Sequence, residues 1–150
     1  MLAIAGCGAD PVREDLENYQ RSVLTPLARI EDETARTLKP LLADLDLGKA
    51  EAREAQRVYQ GELVERYRGV VTLLETNPPK TKALLELHAQ LASQYRQAVK
   101  ELTDAAEALS RSDWRKLDEV HARLAKLGFE SVRTDFVKLG AEHGLDVPEK

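Results

Sequence analysis

Apolar residues recur along this chain in steps of three and four, and the pattern holds almost from end to end. Leu16, Tyr19, Val23, Leu27, Ile30, Thr34, Leu38, Leu41 and Leu45 fall on one face of a helix that opens at Asp10-Pro11, an N-cap followed by proline at the first helical position. Pro26 and Pro40 interrupt the stripe without shifting its phase, which predicts one long kinked helix rather than a break. Gly48 marks the first turn. A second helix follows over about 49–76, with Ala52, Ala55, Tyr59, Leu63, Tyr67, Val70 and Leu74 inward, and Asn77-Pro78-Pro79 ends it.

The third segment, about 80–110, has the cleanest seam. Leu84, Leu91, Ala98 and Ala105 share one heptad position, and His88, Tyr95, Leu102 and Leu109 share its neighbour. Ser112 is the expected N-cap of a fourth helix carrying Leu117, His121, Leu124, Val132, Phe136 and Leu139 on one stripe, with Gly128 in phase and Gly144 as its stop. Four segments of roughly 28–35 residues, each about 45 Å long, joined by short loops, predict an all-α, up-down-up-down antiparallel four-helix bundle. Two splayed helical hairpins, or hairpins paired with another chain, would carry the same pattern.

Composition narrows this further. The chain has 150 residues, of which 32% are charged and 5% aromatic, with a formal charge of −4. That describes a single domain, 10–150, rich in helix formers, with 1–9 outside it. A mildly acidic surface argues against a nucleic-acid partner. No apolar run approaches the roughly 20 residues of a membrane span.

Reflection of residue numbers about each turn proposes which side chains share a level. Tyr95 falls opposite Gly61 and Gly128, two glycines that would leave room for its ring or open a cleft beside it. Pro26 falls near Gly69. His88 falls level with Tyr67 and Asp135, so Tyr67, His88, Tyr95 and Asp135 form the candidate ligand-binding or proton-handling set, with a buried, hydrogen-bonded histidine as the simpler reading. Asp118 and His121 are three apart on one face, but the levels facing His121 (Leu41, Ala55, Leu102) are apolar, and no metal site is expected. His143, before Gly144, suits a helix C-terminus. Glu31-Asp32-Glu33 reads as a solvated acidic face. Asp32 with Arg36, Glu62 with Arg66 and Glu119 with Arg123 are spaced for ion pairs one helical turn apart. No haem, phosphate-loop, zinc-protease or nucleophile-elbow motif occurs, so neither a cofactor nor a catalytic role is expected.

The N-terminus carries a different kind of signal. Ile4-Ala5-Gly6-Cys7 places an aliphatic and two small residues before the single cysteine of the chain. This resembles the lipobox of bacterial lipoproteins. The resemblance covers residues 2–8 and implies that Cys7 carries the lipid, with Gly8 behind it favouring the outer membrane over the inner. The apolar run is about half of a normal signal-peptide core, so the resemblance also implies a start upstream of Met1. The resulting expectation is an envelope-anchored, non-catalytic binding or scaffold module with a protein partner, facing the periplasm from the outer membrane. Two alternatives stand beside it: a small-ligand sensor or carrier with its site between helices, and a cytosolic helical interaction module.

Overall fold

A computed structural model describes residues 10–46 and 51–148. Among these the chain is all helical, with no strand, and forms the expected four-helix bundle. Cys7 and Gly48 lie outside the described residues.

Helix α1 spans 11–46. Asp10 caps it, its carboxylate accepting from the amides of Val12 (3.0 Å) and Arg13 (3.2 Å). The helix runs through both prolines without a break. Pro26 has no N–H for the carbonyl four residues back, and its ring would collide with that carbonyl. The chain answers with a π-helical turn at Gln20–Leu24, where the Thr25 amide reaches back five residues to the Gln20 carbonyl. Pro40 sits on the exposed side, where a carbonyl that loses its partner can turn to water. Helix α2 spans 52–76 and holds a second π turn at Tyr59–Leu63, closed by the Val64 amide on the Tyr59 carbonyl. The Asn77 side chain caps the end of α2 by donating to the Leu73 carbonyl (2.9 Å).

Helix α3, Lys82–Ser110, is the central rod and packs against all the other helices. It ends in a Schellman motif: the Asp113 amide bonds the Ala108 carbonyl (2.9 Å) and the Ser112 amide bonds Leu109 (3.1 Å). Ser112 therefore sits at the left-handed position of the turn, φ 54°. It is not the N-cap that the sequence suggests; Asp113 takes that place, accepting from the Lys116 amide (3.0 Å).

The fourth rod is divided into α4, Trp114–Leu124, and α5, Phe129–Glu142. The apolar stripe keeps its phase across the gap, which is why the sequence reads as one helix. Gly128 adopts φ 75° and starts α5, and its carbonyl accepts from Gln94 Nε2 on α3 (3.2 Å). Gly144 ends α5 as expected, in a second Schellman motif with φ 68°. The chain then turns back, and Val147 packs over Gly140. A Cβ at Gly140 would lie 2.6 Å from Val147 Cγ2 and 2.8 Å from the Leu145 carbonyl, so only glycine admits this tail.

The core divides into two. At the base, the end that carries Asp10, the 77–81 turn and the tail, Leu16, Tyr19, Val23 and Leu27 meet Leu74, Leu84, Leu91 and Phe136. At the tip, Ala55, Tyr59 and Leu63 meet Leu102, Ala105, Leu109, Leu117 and Val120. Tyr67 touches both clusters.

A candidate binding cleft between the first and last helices

Each predicted site residue has a clear place. His88 does not join Tyr67 and Asp135. Its Nδ1 bonds the hydroxyl of Tyr19 (2.9 Å), whose ring stacks on Phe136 at 5.5 Å. Asp135 lies toward the surface beside Lys138 Nζ (3.3 Å). Tyr67 and Tyr95 do come together, with ring centroids 5.4 Å apart. Tyr95 also packs on Phe129 at 4.8 Å, one residue beyond the level that reflection assigns it.

The two glycines do not make room for that ring. Gly61 is exposed inside the π turn with open space where a Cβ would stand, and Gly128 serves the helix break. Gly69 likewise faces open space rather than Pro26. His121 is not in apolar surroundings alone: its Nε2 bonds the Tyr59 hydroxyl (2.7 Å). His143 is the C-cap residue of α5, its amide bonding the Gly140 carbonyl (3.0 Å), while its side chain leaves the helix: Nδ1 bonds Asp10 Oδ2 (2.6 Å) and joins the two ends of the described chain. Of the surface pairs, Glu62–Arg66 forms at 3.7 Å. Arg123 passes over Glu119 and reaches Glu101 on α3 (2.8 Å), a carboxylate whose side chain is only 6% exposed.

A well-formed hollow lies elsewhere. The backbones of α1 and α5 do not approach closely, and an apolar cleft of about 330 Å³ opens between them. Leu24, Leu27, Ala28 and Ala35 of α1 form one wall. Leu91 of α3 and Phe136 of α5 form the floor and the far wall, and Val147 with Pro148 of the tail closes the side toward the base.

The polar groups gather at one edge. Glu31 accepts from the Tyr95 hydroxyl with one oxygen and pairs with Arg133 through the other. Burial pushes the Tyr95 phenol far above its ordinary value, and the neighbouring Tyr67 adds to the rise, so Tyr95 stays protonated and donates. Burial also lowers the Arg133 guanidinium from its usual range. It remains a cation at neutral pH and matches the carboxylate beside it. Asp32 lines the same edge, exposed, and makes no hydrogen bond or ion pair with any described residue.

Tyr95 is thus the one predicted site residue that reaches the cleft's polar edge, and it does so through its hydroxyl. Glu31, Asp32 and Arg133 were not singled out as a site. The signal available was positional: Glu31 falls four after Leu27, at the border of the core stripe, and Arg133 falls three before Phe136 on the expected neighbouring helix. Opposite charges at facing seam borders mark a desolvated pair.

A second, smaller hollow of about 190 Å³ lies at the base beside Asp15. The Asp15 carboxylate works there through one oxygen. That oxygen accepts from the amides of Lys80 (2.8 Å) and Thr81 (2.7 Å) and from the Thr81 hydroxyl (2.8 Å). It holds the start of α3 from another helix, a structural task.

Among the described residues no group of three or more His, Cys, Asp or Glu side chains could hold a metal ion, and no helix is long and apolar enough to cross a membrane. No family model, curated protein or solved structure matches the chain.

Proposed function

We propose that this protein is a non-catalytic binding module, tethered to the cell envelope through Cys7, and that the cleft between α1 and α5 holds a small apolar ligand. The observation that carries this reading is the cleft itself: about 330 Å³ of space, walled by leucine, alanine, phenylalanine and valine, with a fixed polar edge. Its size falls within the range of about 300–1,000 Å³ seen for small-molecule sites, and a few placed polar groups in an apolar wall are how such sites orient a ligand. Of the readings open from the sequence, the small-ligand carrier is the one this geometry favours. Its site then lies around Glu31 and Arg133, with Tyr95 behind them.

The tether is supported by the lipobox resemblance and by position. Asp10, three residues after Cys7, lies at the base of the bundle beside His143. A lipid on Cys7 would hold the base toward the bilayer and leave the α3–α4 turn pointing away. Two or more acyl chains on one cysteine suffice for stable anchoring.

The cleft is tested with a neutral, environment-sensitive naphthylamine dye and the variant Ala28→Trp, which fills the space from a partly exposed position. The expected result is saturable one-site fluorescence enhancement in the wild type, weakened at least about tenfold in Ala28→Trp with an unchanged helical circular dichroism spectrum. No saturable binding to the wild type, or equal binding to the variant, overturns the reading. The anchor is tested separately in the native host by Cys7→Ser, which is expected to move the protein from the membrane to the soluble fraction. Persistent membrane association of that variant defeats the tether while leaving the cleft untouched.

A further inference from the structure

We infer that the ligand of this cleft is a cationic amphiphile, an apolar body with a single ammonium or guanidinium group, held by Asp32. The inference rests on the cleft being a binding site and adds the sign of the ligand's charge. Among the described residues, three charged side chains line the cleft: Glu31, Asp32 and Arg133. Two of them cancel. Glu31 is committed on both oxygens, to the Tyr95 hydroxyl and to Arg133, and Arg133 makes its ion pair with Glu31. The third lining charge is that of Asp32, which makes no ion pair with any described residue, its helix neighbours Arg29 and Arg36 included.

Among the charged groups that line the cleft, an anionic head group finds one cation, Arg133, and reaching it is costly. It must take Arg133 from Glu31, whose side chain is only 21% exposed. The displaced carboxylate would then sit half-buried beside a second negative charge. A cation meets no such obstacle. It can approach Asp32 from solvent, while its apolar part lies against Leu27, Ala28 and Phe136, and every existing bond is kept.

Octylamine, octanoate and octanol share one chain and differ in head group, so calorimetric titration of all three at neutral pH and low salt separates the two ideas. Octylamine is expected to bind about two- to fivefold more tightly than octanoate, the scale of one exposed ion pair, with the margin shrinking at high salt. Asp32→Asn should bring the ratio close to one. Asp118→Asn, which removes an exposed carboxylate from α4, should leave it unchanged and so controls for the overall charge of −4. Glu31→Gln, which frees Arg133, should turn the preference toward octanoate.

Equal affinities for the two ions, a preference for octanoate in the wild type, or a ratio indifferent to Asp32→Asn overturns the inference while the cleft stands if octanol binds. Failure of all three compounds to bind removes the cleft reading and the inference with it.

Discussion

The base and the tip of this bundle hold the same helix in different ways. At the base, α1 is fixed by three polar ties to other elements: Asp10 to His143, Asp15 to Lys80 and Thr81, and Tyr19 to His88. Its Leu16 and Val23 are fully buried there. At the tip, among the described side chains, α1 supplies the partly buried Leu38 and Leu41 to the second core cluster. That cluster is instead built from α2, α3 and α4. Alanines at 98, 105, 106 and 108 let neighbours lie close to α3, and Tyr59–His121 and Arg123–Glu101 add polar ties among α2, α3 and α4. The cleft opens on the stretch of α1 between these regimes. A bundle with four similar seams would close there; anchoring one helix firmly at one end and loosely at the other leaves a space along its length.

The largest effect that tests this contrast comes from the same truncation at the two ends of α1. Leu16→Ala removes a side chain with no exposed surface and is expected to cost about 2–5 kcal/mol. Leu38→Ala removes one that is half-buried and should cost about 1 kcal/mol. Denaturant unfolding of both variants measures the difference, and hydrogen exchange of the wild type should show the amides after Pro40 opening before those near Leu16. Equal losses at the two positions would mean that α1 is seated evenly, and the explanation of the cleft would fail.

Most of the architecture is legible in the sequence because it follows from periodicity. The four rods, their antiparallel order, the Asp10 cap, the stop at Gly144 and the passage of α1 through both prolines all come from the spacing of apolar residues and from turn chemistry. What was not legible depends on which neighbours meet, and a stripe does not encode that. Gly128 keeps the phase of its stripe and so reads as a packing glycine, although its backbone makes the break between α4 and α5. His88 could be assigned a level but not a side, and it faces Tyr19 rather than Tyr67. Glu31 and Asp32 read as a solvated run because a carboxylate at the border of a stripe is exposed unless the next helix brings it a cation. Gly140 gave no sign of its role, because the tail that needs it folds back only after the final turn.

A smaller effect sharpens the contrast at its polar ties. His88 is partly buried, and desolvation, with a further push from the Arg96 charge, draws its imidazole below the ordinary 6.5. In the neutral ring Nδ1 can accept the Tyr19 proton, and burial keeps that phenol protonated far beyond neutral pH. Between the lowered value and 6.5 the unfolded chain binds more protons than the folded one. Stability is therefore complete above about pH 6.5 and declines as pH falls through that window. The Asp10–His143 tie responds lower on the scale. Its bond to His143 holds the Asp10 carboxyl below the ordinary 3.8, so this contribution is present above that value and is lost on further acidification. Thermal melts of the wild type and His88→Gln, whose amide can still accept from Tyr19, should part as pH falls below about 6.5, with the wild type losing more. An NMR titration placing the His88 imidazole at or above 6.5, or parallel melts for the two proteins, would show that the Tyr19 bond at the base is insensitive to protonation.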